Sequence, residues 1–170
     1  FRGGSAEPLL AKDFSQTLKY LKTSYGISLY VNTNASTLNK PLADQMIKYG
    51  FDHVFVSYHA GTPEGYKTLM TGNIERVHSN LTYLSTQKRK LNKKLPMVEF
   101  NFALHKKNAS EYSAVIDNAK TLGADSIMVS KYYGGSNAFD KDKPAFDYDP
   151  EKGNQVLDEL YEYARQASIP

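Results

Sequence analysis

Five short polar patches hold the atoms with which this chain could do chemistry: Gly3 to Glu7, Asn32 to Asn34, Ser57 to His59, Asn101 to His105, and Ser130-Lys131. They supply amides, hydroxyls, one carboxylate and backbone donors. They contain no close acid–base pair, no nucleophile elbow and no phosphate loop of the usual spacing. This inventory suits a pocket that holds a polar ligand better than a hydrolase with its own nucleophile. A hidden catalytic pair stays open, because such partners need not be sequence neighbours. The four histidines, His53, His59, His78 and His105, share no metal-ligand spacing, so no metal site is expected. His59, at a strand end, is the one to test for substrate contact.

The patches fall where the surrounding pattern ends a strand. Ile27 to Val31, residues 53–58, Met97 to Leu104 and Asp125 to Ser130 are apolar, β-branched or aromatic runs of strand length. Helical spacing lies between them. Phe14, Leu18 and Leu21 follow Asp13. Leu42, Met46 and Ile47 follow Asn39 and Pro41. Val77, Leu81 and Leu84 follow a short helical turn at 64–69. Tyr112, Val115, Ile116, Ala119 and Leu122 follow Asn108 and Glu111, which together predict a capping box. Residues 132–149 read as a long loop, and Pro150 opens a last helix through Val156, Leu157, Leu160 and Ala164. Strand and helix alternate without hairpin signals. The expectation is an α/β fold with parallel strands and right-handed crossovers, as part of a β/α barrel or as a doubly wound sheet. In either, polar groups at the carboxyl ends of the strands share one rim, where α/β proteins build ligand sites.

The bulk composition sets limits. The chain has 170 residues, 41% of them hydrophobic and 23% charged, enough for one domain with a real core. A net charge of +3 does not imply nucleic acid or an anionic membrane. The run Lys88-Arg89-Lys90 with Lys93-Lys94 reads as a solvated helix end. No apolar run approaches the roughly 20 residues of a spanning helix, and no signal peptide opens the chain. The Asn-x-Ser/Thr triplets at Asn34, Asn80 and Asn108 therefore read as chance matches in a cytoplasmic protein. There is no cysteine, so neither a disulfide nor thiolate ligation of a metal can come from this chain. Phe1 reads as the end of a strand and Pro170 as the end of a helix leading onward, so a fragment is expected.

Taken in order, GGSAEPLL, YVNTNAS, DHVFVSYHAGTPEGYKTLMTGNIERV, VEFNFALHKKNASEY and GADSIMVSKYY resemble the radical S-adenosylmethionine (radical SAM) proteins, especially the branch with a cysteine-rich C-terminal SPASM-type domain. The resemblance covers residues 1–133. It implies a partial (β/α)6, TIM-like barrel. Residues 1–170 would be a radical SAM-like core domain truncated at both ends, with 132–170 a loop and C-terminal helix extending from the barrel. It further implies S-adenosylmethionine across the strand ends, chelating one iron of a [4Fe–4S] cluster. Its reductive cleavage would give a 5′-deoxyadenosyl radical that abstracts a substrate hydrogen. Partners would be a peptide or small-metabolite substrate and an electron donor such as a flavodoxin or ferredoxin, with no nucleic acid and no membrane.

By the same resemblance, Ser5-Ala6-Glu7-Pro8 matches the Gly-Gly-Glu-Pro loop that holds the methionine amino group, with Ser5 and Ala6 in place of its two glycines and Gly4 just before them. Ser57 matches the ribose contact of the family's fourth strand. Asn32 and Asn34 match cavity-lining third-strand residues, and Asn101 a polar fifth-strand position. Val129 falls where the sixth-strand backbone meets adenine. Tyr132, like His59, is a substrate candidate. Three features depart from the family. Ser57-Tyr58-His59-Ala60 stands for Ser-x-Asp-Gly, and Met70 stands where many relatives have Arg. The Cys-x3-Cys-x2-Cys loop, which the family carries after its first strand, is missing, so the chain as given should have no radical activity. Two readings stay beside this one: a non-catalytic barrel that binds or interacts, and another α/β nucleotide-binding enzyme.

Overall fold

In the computed structural model the described residues are 7–70, 72–105, 107–131 and 150–169. Gly4, Ser5, Ala6, Tyr132 and the long loop expected at 132–149 lie outside them. The described residues form six helices and four strands: α1 (Phe14–Tyr25), β1 (Tyr30–Thr33), α2 (Lys40–Lys48), β2 (His53–Ser57), α3 (Pro63–Leu69), α4 (Ile74–Lys90), β3 (Met97–Leu104), α5 (Tyr112–Leu122), β4 (Ser126–Lys131) and α6 (Pro150–Ala167). Short 3-10 turns sit at Pro8–Leu10 and Ala109–Glu111.

The strands form one parallel sheet in the order β1-β2-β3-β4. That order separates the two candidate architectures. A doubly wound sheet reverses its strand order at a switch point and carries helices on both faces. Consecutive order with right-handed crossovers puts every helix on one face, as in a barrel wall. Burial agrees. Val31, Val54, Val56, Val98, Phe100, Phe102 and Leu104 point to the helix layer and are at most 4% exposed. Tyr30, Asn32, Ser57, Asn101 and Met128 alternate with them onto the other face and are exposed or half-buried. The α/β, partial TIM-like fold expected from the sequence is the fold observed.

The helices keep their sequence-predicted stripes inward. Leu42, Ala43, Met46 and Ile47 of α2, Val77, Leu81 and Leu84 of α4, and Val115, Ile116, Ala119 and Leu122 of α5 are all buried. Each such large side chain contributes about 1.5–3 kcal/mol on leaving water. Asn39 caps α2 through Leu42 N–H at 3.0 Å, and Asn73 caps α4 through Arg76 N–H at 2.8 Å. α6 lies against this layer with Leu160 buried and Val156, Tyr163 and Ala164 partly so.

Three local expectations fail. Asp13 precedes α1 but its side chain makes no cap bond. The first strand begins at Tyr30, not Ile27. Asp52 holds the preceding backbone instead, with its Oδ2 accepting Leu29 N–H at 2.7 Å and Lys22 Nζ at 2.8 Å. The capping box at Asn108 and Glu111 does not form. Both side chains reach across to the loop after β2, where tertiary partners outcompete the local ones.

Candidate functional site

The rim begins at Glu7. Its Oε1 accepts Leu9 N–H at 3.3 Å and the Thr33 hydroxyl at 2.5 Å, and its Oε2 accepts Asn34 N–H at 3.0 Å. One carboxylate thus caps the Pro8–Leu10 turn and fastens it to the carboxyl end of β1. Thr33, 3% exposed, passes the link on by accepting Ala35 N–H at 2.9 Å. A carboxylate has about four lone-pair sites. Three are taken here, and Oε2 has room for one further donor. Asn34 turns its own Oδ1 to Ser36 N–H at 2.9 Å, an Asx turn.

The open face of the sheet carries the next group. Ser57 and Asn101 are register partners, and Asn101 pairs in turn with Met128. Ser130 Oγ donates to Asn101 Oδ1 at 3.3 Å. Ser57 is half-buried, and its hydroxyl has no hydrogen bond among the described residues. Asn32 is exposed and shares its row with Phe55, Glu99 and Ser126. Val129 pairs with Phe102 and so faces the helix layer; only its main chain can serve the rim. Asn32, Ser57 and Asn101 therefore share one face, with Glu7 at its edge.

The loop after β2 is built differently. Tyr58 is fully buried, stacked on Phe100 at 4.4 Å between ring centroids. Its oxygen accepts Asn118 Nδ2–H at 3.0 Å, so its proton goes to His78 Nε2 at 2.6 Å. Burial pushes the Tyr58 phenol far above its ordinary value. His59 directs Nδ1 to Ala103 N–H at 3.2 Å, and its carbonyl accepts Asn108 Nδ2–H at 2.8 Å. Burial lowers the His59 pKa, opposed in part by the Asn101 backbone. Glu111 accepts Gly61 N–H at 2.8 Å, Thr62 N–H at 2.9 Å and the Thr62 hydroxyl at 2.9 Å. Asn118 Nδ2 also donates to Gly61 O at 2.7 Å. A Cβ at Gly65 would overlap the Glu111 carboxylate, which is why a glycine stands there.

Sequence reasoning missed Glu111, Asn118 and Thr33 as parts of this rim. Thr33 lay inside a flagged patch. Glu111 was visible only as half of a capping box, and Asn118 gave no signal, because its partners are 57 and 60 residues away. Among the described residues no three His, Asp or Glu side chains gather where a metal could sit.

The same strand order and helix layer recur in solved structures. No protein-family model matches the chain. The crystal structure of Streptococcus suis SuiB superposes with a TM-score of 0.75 over 96% of this chain at 17% identity. SuiB has also been solved bound to S-adenosylmethionine and bound to the precursor peptide SuiA, each with a TM-score of 0.72. Coproporphyrinogen III oxidase (HemN) from Escherichia coli, a radical SAM enzyme, superposes with a TM-score of 0.64 over 90% of this chain at 14% identity. The fold is the one these enzymes share. At such identities the likeness is one of fold. The chain spans 36% of the length of SuiB and of HemN.

Proposed function

We propose that residues 1–170 are the S-adenosylmethionine-binding core of a radical SAM enzyme, with 132–170 extending from the barrel. The observation that carries this is the placement of Ser57, at the end of β2, beside Asn101 of β3 on the open sheet face, with Glu7 at the edge. The residues present suit the ligand. Glu7 Oε2 has a lone pair left for an ammonium, and the Ser57 hydroxyl, without a hydrogen bond among the described residues, can meet a ribose. Asn32, Asn34, Asn101 and the Val129 main chain complete the berth, Gly4, Ser5 and Ala6 extend it, and His59 and Tyr132 are assigned to the substrate side. When bound, S-adenosylmethionine supplies a sulfonium whose reductive cleavage yields a carbon radical. This chain's own part is to hold the amino group, orient the ribose and keep the cavity wall rigid.

A [4Fe–4S] cluster does not fit the residues of this chain, which has no thiolate. Its ligands, and the electron donor that would reduce it, would have to come from outside these residues. A peptide substrate is favoured by the fold shared with SuiB, which has been solved with a precursor peptide. A second reading, a cluster-free barrel that only binds, applies if no cysteine loop precedes Phe1 in the full-length protein.

Calorimetric titration of the full-length protein with S-adenosylmethionine tests the berth. Ser57→Ala should weaken binding about fivefold, the loss of one ordinary hydrogen bond, and Glu7→Gln about tenfold or more, the loss of a charged one. Unchanged affinity in both rejects the assignment. Anaerobic cluster reconstitution of the same protein then separates the radical enzyme from the cluster-free module.

A further inference from the structure

At the other end of the sheet lies a cavity of about 500 Å³, between the last turn of α4, the start of β3 and the last turn of α5. Five cations line it: Lys88, Arg89, Lys93, Lys94 and Lys120. The single acid is Asp125. The basic run is therefore not a uniformly solvated helix end. Lys88 is 7% exposed and bonds Asp125 Oδ2 at 2.9 Å, and the same oxygen accepts Val98 N–H at 2.7 Å. Asp125 is thus committed. Arg89, Lys93, Lys94 and Lys120 are exposed and pair with no carboxylate among the described residues. A chain with a net charge of only +3 concentrates four free cations in one hollow.

The backbone around the hollow decides what kind of anion suits it. Compact phosphates favour helix N-termini, where N–H groups converge. Here α4 and α5 both end, presenting carbonyls and the negative ends of their dipoles. The N–H groups of Leu91, Lys93 and Ala124 close those ends on Gln87 O, Lys88 O and Ala119 O. The Ser85 and Thr121 hydroxyls that also line it bond Thr82 O and Asp117 O, which leaves the flexible ammonium and guanidinium heads as separate charges on α4, the loop after it and α5. Met97, 37% exposed, adds an apolar patch to the lining.

We propose that this cavity docks an acidic peptide segment, with several separate carboxylates each meeting one cation. The site is independent of the S-adenosylmethionine berth, since it lies at the amino ends of β3 and β4.

Fluorescence anisotropy of the full-length protein with a labelled hexaglutamate peptide is the test. Binding is expected, weakening steeply as salt rises from about 50 to about 300 mM. The triple variant Lys93→Gln, Lys94→Gln, Lys120→Gln should bind at least about tenfold more weakly. A charge-matched control, Lys12→Gln, Lys19→Gln, Lys67→Gln, should bind like the parent, and thermal melts of all three proteins should coincide. Absence of hexaglutamate binding overturns the proposal, as does equal weakening by both triples. Tighter binding of pyrophosphate or of a single-stranded oligonucleotide than of hexaglutamate also overturns it, and assigns the cavity to phosphate instead.

Discussion

Glu7 and Glu111 are both half-buried carboxylates that collect three donors each, yet they fasten different joints. Glu7 holds the Pro8–Leu10 turn against the end of β1 almost alone, with one lone pair left over. Glu111 comes from the helix layer and locks the loop after β2 with its capacity turned inward. Asn108, Asn118 and His78 hold the same loop. The difference shows how the barrel rim divides its labour. The β2 loop is tied down without any ligand, so Ser57 just before it is held in advance, which lowers the entropic cost of binding. The Glu7 joint is the one whose order can respond to a ligand, because a ligand's ammonium would be a fourth donor to the same group.

The largest expected effect follows from the locked loop. Glu111→Ala strands two backbone N–H groups and a hydroxyl, and should destabilise the protein by about 3 kcal/mol, read from the urea midpoint at constant m-value. Gly65→Ala acts on the same carboxylate by displacing it. The two substitutions together should therefore cost less than their sum. Additive costs would mean that Glu111 is not the common element.

A smaller loss is expected at the other joint. Glu7→Ala should cost about 1–2 kcal/mol in the absence of ligand, since its bond to Leu9 N–H is long, at 3.3 Å, and only one well-formed backbone bond, to Asn34 N–H, is lost. Saturating S-adenosylmethionine should then widen the gap between parent and variant, because the parent gains more from binding. A Glu7→Ala cost equal to that of Glu111→Ala, unchanged by ligand, would erase the distinction between the two joints.

What the sequence made legible follows the same line. β3 was readable to the residue, because its alternation runs uninterrupted from Met97 to Leu104. Ser57 and Asn101 stood out as polar residues beside the apolar runs of their strands. That they sit side by side depends on register, which no local spacing sets. The start of β1 moved because Asp52, 23 residues from Leu29, claimed its backbone. Glu111 was mistaken for a local cap because the rule for capping boxes knows only near neighbours, while Gly61 and Thr62 lie about 50 residues upstream. Lys88 was hidden by its charge, since nothing in a run of basic residues marks the one that turns inward to Asp125.

The smallest effect is a dependence on pH that should appear at one joint and not at the other. His78 accepts the Tyr58 proton at Nε2, and burial lowers its pKa, opposed in part by nearby Glu75. His59 accepts Ala103 N–H at Nδ1, and burial lowers its pKa too. Both are held neutral in the folded chain and take up a proton more readily when unfolded. The unfolded state then binds more protons just below the ordinary histidine value of about 6.5, so stability rises with pH there. The contribution is fully present above that value and is lost as pH falls toward and through the lowered folded values. His59 lies in the β2 loop, His78 of α4 holds that loop through Tyr58, and neither bonds Glu7. Amide exchange at Thr62, corrected for intrinsic rates, should lose protection between about pH 7 and about pH 5.5, while Asn34 holds its own. His78→Gln keeps an acceptor for Tyr58 without a titrating ring, and should flatten part of the Thr62 response. Equal loss at Thr62 and Asn34 would place the acid sensitivity in the whole sheet rather than in the loop, and the two joints would then be parts of a single cooperative rim.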